Sequence, residues 1–296
     1  MTPEAEAASI GPFALEGNWY RAALHVHTTN SDGAEPPETV LTRYRDAGFH
    51  CVALTDHGKV TAAQAPEGLL RLPGIELDCS TDDPPKAWHI VGIGCEKEPR
   101  KKLTDVRDIV KFLKSHARFV QAAHPYWSNL SGEDLRSLCS CDALEVYNSV
   151  CDVMVGRGSA EQPLDYVLSA GERINVVAVD DSHQQPGDLG RAWTMLKAPE
   201  LTQEAVYNAL ARGDFYASTG PEILDWTRSG SSVRITTSPC RTISFMSNTW
   251  YGQRFDAEPD GVLTEAEYFL QGPEIYLRIQ ATDADGKRAW TNPIYF

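Results

Sequence analysis

The sequence predicts an α/β protein built from parallel β/α units, and two observations carry that expectation. From residue 21 to 197, short apolar runs alternate with segments of helical periodicity. Histidines and acidic residues then recur on or at the edge of those runs, mostly just past their C-terminal ends. In β/α folds, catalytic residues come from the C-terminal ends of strands.

The first run, 21–24, leads into His25-Val26-His27 and then Ser31-Asp32-Gly33. In a strand, residues i and i+2 face the same way, so both imidazoles can grip one metal ion. Imidazole and carboxylate are the ligands that divalent metals favour. The pattern repeats in order. The run 52–55 leads into Asp56 and His57, and 72–75 into Glu76. His89 opens 90–93, 119–123 leads into His124, and 176–179 leads into Asp180, Asp181 and His183. Six of the eight histidines fall in such places; only His50 and His116 do not. A histidine merely bonded in a core would explain any one of them, but not the sorting of the set.

Between the runs, helices are predicted at 37–47, with Pro in the first turn and Gly48 at the end, and at 104–117, capped by Thr104. The second shows Val106, Ile109, Val110 and Leu113 at helical spacing. Shorter helices are predicted at 132–138, 163–170 and 201–211, the last two followed by Gly171 and Gly213. After Pro221 the pattern becomes strand-like alternation at 233–237, 242–246, 274–281 and 289–290. This predicts a small antiparallel β-module of roughly 75 residues, without a histidine, packed on the first part.

A chain of 296 residues can bury a full core. Its net charge of −14 and pI near 5 argue against nucleic acid as a partner drawn by long-range attraction. A phosphorylated small molecule is still compatible, because bound cations reverse the local field. The seven cysteines include one close pair, Cys139 and Cys141, and no Cys-x-x-Cys. They read as reduced, mostly buried thiols of a cytoplasmic protein. No signal peptide or membrane span is expected from the sequence.

The motifs His25-Val-His27 with Asp32, Thr55-Asp56-His57, Glu76, His89, His124 and Asp181-Ser-His183 together resemble the polymerase and histidinol phosphatase (PHP) metal-dependent phosphoesterases. The resemblance covers roughly 18–220. Two stretches, 209–222 and 283–294, look like the stand-alone branch that includes carbaryl-hydrolase-like members. The resemblance implies a distorted seven-stranded β/α barrel with a metal cluster at the strand ends. With the pattern on either side of it, the chain is expected to divide into a lead-in at 1–17, a metallohydrolase barrel at 18–221 and the β-module at 222–296. By that likeness His25, His27, Glu76 and Asp181 hold a first ion. Glu76 bridges to a second held by His89 and His124. Asp32, His57 and His183 hold a third. Many relatives have histidine where this chain has Asp32, and a carboxylate is the harder ligand.

Two to three ions of manganese, iron or zinc account for so many His, Asp and Glu residues in one place. A metal lowers the pKa of bound water from 15.7 towards ~7, and a second polarises the phosphoryl oxygen. The expected activity is therefore hydrolysis of a small phosphate ester by a metal-bound hydroxide. His25, His27, Glu76, Asp181 and His183 are expected to carry catalysis. Lys59, Tyr126, Asn148 and Arg157 are candidates to bind substrate, with Trp127 and Arg191 beside them. Glu145 reads as a further ligand or as support for one. Asp56 and Asp180 read as partners of ligand histidines or as helix caps. Carboxylic or carbamic ester hydrolysis at the same site is the alternative chemistry, and a nuclease ranks below it.

Overall fold

The computed structural model describes residues 7–296. Strands β1 (Ala8–Ser9), β2 (Asn18–Ala23), β3 (Cys51–Leu54), β4 (Leu70–Asp82), β5 (Pro85–Ile93), β6 (Phe119–Ala122), β7 (Ala143–Asn148) and β8 (Asn175–Val179) form the first part. Helices α1 (Pro37–Asp46), α2 (Val106–His116), α3 (Gly132–Ser137), α4 (Ser149–Val155) and α5 (Glu161–Ser169) lie between them. Strand β9 (Trp193–Ala198), helix α6 (Gln203–Arg212) and β10 (Phe215–Ser218) follow. The rest is all strand: β11 (Ile223–Ser229), β12 (Ser232–Cys240), β13 (Thr242–Met246), β14 (Gly252–Asp256), β15 (Leu263–Phe269), β16 (Tyr276–Thr282), β17 (Arg288–Thr291) and β18 (Ile294–Tyr295).

Strands β2 to β8 are neighbours in chain order, seven in a row, within one large mixed sheet. The expected seven-stranded barrel is not a closed ladder. Strand β9 takes the other edge of β2, antiparallel, and β8 ends the path. The two ends meet just beyond the strands, through one isolated parallel bridge between Val26 and Ser182. Nor are all units parallel as predicted. Strands β4 and β5 form an antiparallel hairpin, and β6 runs antiparallel to β5. The missing helix between β4 and β5 is what changes the direction, because a parallel return needs a long crossover.

The strands are short and buried on both faces, as at Cys51–Leu54, Phe119–Ala122 and 176–179. Helix α2 covers the sheet with Ile109, Val110 and Leu113, the residues predicted to share its face. Its cap is Asp105, which accepts the Arg107 N–H, not Thr104. Helix α5 begins at Glu161, two residues before the predicted start, and α4 was not predicted. Residues 8–14 are ordered against the C-terminal strands. Strand β1 pairs with β11, and Gly11–Ala14 makes a 3-10 turn. Residues 1–6 of the predicted lead-in lie outside the described residues.

Residues 222–296 divide between two sheets. Strands β11, β12 and β15 join β1 in a four-stranded sheet, while β13, β14, β16 and β17 extend the large sheet through β17 on β10. Among the described residues, no helix is long and apolar enough to cross a membrane.

Candidate metal centre

The backbone at 25–27 is held from both sides. Thr55 N–H donates to Val26 O at 2.9 Å, and His27 N–H donates to Ser182 O at 3.0 Å. Asp181 N–H donates to His25 O at 3.1 Å. Extended backbone then turns His25 and His27 to one side. Both rings are fully buried, with Nε2 atoms 3.1 Å apart.

Glu76 sits at the focus. Its Oε2 lies 3.1 Å from His25 Nε2, 3.2 Å from His27 Nε2 and 3.2 Å from His57 Nδ1. Its Oε1 lies 2.7 Å from His89 Nδ1 and 3.5 Å from His124 Nε2. Glu76 is not past a strand end but inside β4, because that strand runs on into the hairpin. There Glu76 pairs with Val91, so His89 is its diagonal neighbour on the same face. Asp181 completes the centre, its Oδ1 lying 3.0 Å from His27 Nε2 and 3.2 Å from His25 Nε2.

Asp32 stands at the mouth, half-exposed, 3.4 Å from His183 Nε2, 3.5 Å from His27 Nδ1 and 3.7 Å from His57 Nε2. The turn carrying it is tight. Ser31 and Gly33 N–H both donate to Thr28 O, and a Cβ on Gly33 would meet Thr28 backbone at 2.7 Å. The structure thus brings all nine predicted ligand-type residues together, with one difference in partition. His27 faces both Asp181 and Asp32, and His57 faces both Glu76 and Asp32.

Other residues orient these. Glu145 accepts from Gln121 Nε2, His124 N–H and Asn148 Nδ2, and its Oε1 lies 2.7 Å from His25 Nδ1. It therefore supports His25 and is not itself at the focus. Asn148, expected at the substrate, is fully buried. Its amide bridges Glu145 and Asp181, and its Oδ1 caps α4. Asp56 accepts from Thr28 N–H, Thr28 Oγ1, Ser31 Oγ and Thr61 Oγ1. Asp180 accepts from Gly190, Arg191 and Ala192 N–H and from Tyr44. Neither touches a ligand histidine or caps a helix as anticipated. Sequence reading missed Gln184, whose Nε2 donates to His27 O and whose Oε1 accepts from Ala34 N–H. Its place right after His183 was the only signal.

The remaining substrate candidates lie at the rim. Lys59 is exposed and pairs loosely with Glu98 at 3.8 Å. Arg157 sits over the Tyr126 ring at 5.7 Å. Trp127 packs edge-on against His124 and His89. Arg191 reaches Gly187 O, away from the focus.

Burial penalises charge on His27, yet the carboxylates of Asp181 and Glu76 raise it to about 9. His25, also buried, is raised well above the ordinary value by Asp181, Glu76 and Glu145. His89 is raised by Glu76 against its burial. His57 is lowered by burial, and further by His27. Burial works against ionised Glu76 and Asp181, but the imidazoles around them, His25 foremost, hold both well below the usual carboxylate range. Carboxylates and imidazoles thus hold one another charged in the centre, and a bound divalent cation would take the place of the imidazole protons.

The residues fit divalent cations. Glu76 Oε2, Asp181 Oδ1 and His57 Nδ1 are buried without a hydrogen-bond partner. Such atoms cost ~1–3 kcal/mol each when left so. Three groupings offer donor atoms within 4.8 Å of one another: His27, Asp32, His57 and His183; His25, His27 and Asp181; His57, Glu76 and His89. Imidazole with carboxylate is a donor set suited to zinc, iron and manganese.

Over 98% of its length the chain matches 98% of a two-domain protein from Bacteroides vulgatus that contains a predicted PHP-like metal-dependent phosphoesterase, at a TM-score of 0.54 and 15% identity. The chain therefore has the fold of that PHP-like protein. A proposed metal-dependent phosphoesterase from Bifidobacterium adolescentis matches 64% of this chain and 96% of its own, at a TM-score of 0.46 and 19% identity. An uncharacterised protein of Methanocaldococcus jannaschii is 25% identical over 142 residues, 44% of this chain and 82% of its own length. No family model matches the chain.

Proposed function

We propose that this chain is a PHP-type hydrolase of a small phosphate ester, using two to three ions of manganese, iron or zinc. His25, His27, Asp32, His57, Glu76, His89, His124, Asp181 and His183 would hold them. The observation that carries this reading is the convergence of five imidazoles on the buried carboxylate of Glu76. Bound ions would supply activation of water and positive charge for a phosphoryl oxygen. The chain's own residues do the rest. Glu76 presents its two oxygens to opposite groups of rings. Glu145 accepts a hydrogen bond from His25 Nδ1–H and leaves Nε2 facing the centre. Asp32, His57 and His183 are the more exposed members, so substrate enters on their side. Residues 222–296 contribute no member of the cluster and serve the sheet. All seven cysteines are free, which supports a cytoplasmic setting.

Metal-reconstituted protein should hydrolyse aryl phosphates and be inhibited competitively by inorganic phosphate. Turnover of carboxylic or carbamic esters alone, with no effect of phosphate, would replace the substrate class. Turnover of neither would overturn the reading.

A further inference from the structure

Two large aromatic side chains stand in water on the turn that follows His124, Tyr126 at 50% exposure and Trp127 at 38%. The turn that carries them is firmly held. Ser128 N–H donates to His124 O, Leu130 N–H to Pro125 O, and Ala87 N–H to Ser128 O. Asn129 takes a left-handed φ of 57° and donates from Nδ2 to Pro85 O, tying the turn to the β4–β5 hairpin. Ser128 Oγ lies 3.0 Å from His124 Nδ1. A turn fixed this well could have carried polar residues outward. Instead the Trp127 ring meets His124 at 5.0 Å and His89 at 5.8 Å between centroids. An ester seated beside those histidines therefore meets Trp127 next. Exposed aromatic surface at the edge of a site marks binding, and rings prefer edge-to-face or offset contacts with other rings.

We propose that Trp127 and Tyr126 form a wall for an aromatic leaving group, so that the preferred substrates are aryl phosphate esters. This rests on the phosphate-ester reading above. In the reaction, water oxygen bonds to phosphorus, the P–O bond to the aryl oxygen breaks, and that oxygen leaves with the proton from water. Products are a phenol and inorganic phosphate. The wall adds affinity through the ring, independently of the chemical step.

The test is calorimetric binding of phenylphosphonate and methylphosphonate, which cannot be hydrolysed at an ester oxygen, to metal-loaded protein. Wild type should bind the phenyl compound about tenfold more tightly. Trp127→Ala should bring the two affinities together with metal content unchanged, Trp127→Phe should keep most of the preference, and Tyr126→Ala should lose part of it. Equal affinities in wild type, binding of neither compound, or a full preference in Trp127→Ala would each overturn the wall. Where Trp127→Ala does not fold, Tyr126→Ala and Trp127→Phe still decide. A tenfold preference without turnover of any phosphate ester would leave the wall standing and remove the proposed activity. Turnover of phosphate esters without the preference would do the reverse.

Discussion

Glu145 fixes which nitrogen of His25 faces the centre. Its Oε1 lies 2.7 Å from His25 Nδ1, and three other donors hold the carboxylate still. A residue in this position sets tautomer and ring orientation, and its loss typically costs 10–100-fold in metal affinity. Glu145→Gln should therefore stay folded and lose about that factor, as read by chelator competition. The raised imidazoles give a second expectation. A folded pKa of about 9 for His27, against the ordinary value near 6.5, adds stability that is complete below 6.5 and lost as pH rises through 9. Chelated protein should then lose Tm between pH 6.5 and 9. Metal binding needs unprotonated imidazole, so metal affinity should rise over the same range. A flat Tm for chelated protein would contradict the protonated cluster. Most ligand-type residues were legible because they follow or lie on short apolar runs, Asp32 in loop 28–33 being the exception. Glu145, Gln121 and Gln184 were less so, since they matter through hydrogen bonds to residues 24, 120 and 157 positions away along the chain.

Loop 28–33 shows the same division at the level of elements. Its conformation depends on Asp56, 28 residues from Thr28 and 25 from Ser31, which collects three donors from those two residues and a fourth from Thr61. Asp56→Ala leaves Thr28 N–H and three hydroxyls without their acceptor, at ~1–3 kcal/mol for each buried group so orphaned. Urea unfolding should show a loss of about 3 kcal/mol, within that range for one to three such groups. An unchanged midpoint would show that the loop does not depend on Asp56. Strands β2 to β6 and β8 were readable from apolar runs, and so was the covering face of α2. The β4–β5 hairpin was not, because the run through Glu76 continues as polar strand to Asp82 with no helix to mark a crossover. Asp105 displaced Thr104 as cap because its side chain reaches the Arg107 N–H.

The whole molecule is joined across residue 221. Strand β17 pairs with β10, Trp290 and Tyr276 enter the core beneath α2 and α5, and Asn292 Oδ1 accepts the Val176 N–H. Alternation after Pro221 predicted β12, β13, β16 and β17 but not β11, β14, β15 or β18, and pairing partners 70 or more residues away left no mark in the sequence. A chain ended at Pro221 should expose the β10 edge and aggregate, and the full chain should unfold in one cooperative transition by both circular dichroism and fluorescence. Two separated transitions would contradict this. The overall acidity sets only the field far from the site, whereas the buried carboxylates of Glu76 and Asp181 favour positive charge at its centre. The central claim is that this centre holds divalent metal. It is tested most directly by elemental analysis of purified, reconstituted protein beside Glu76→Ala. The account predicts two to three transition-metal ions per chain in the wild type and a clear loss in the variant, with circular dichroism unchanged. Wild-type protein that carries no transition metal after reconstitution would contradict it.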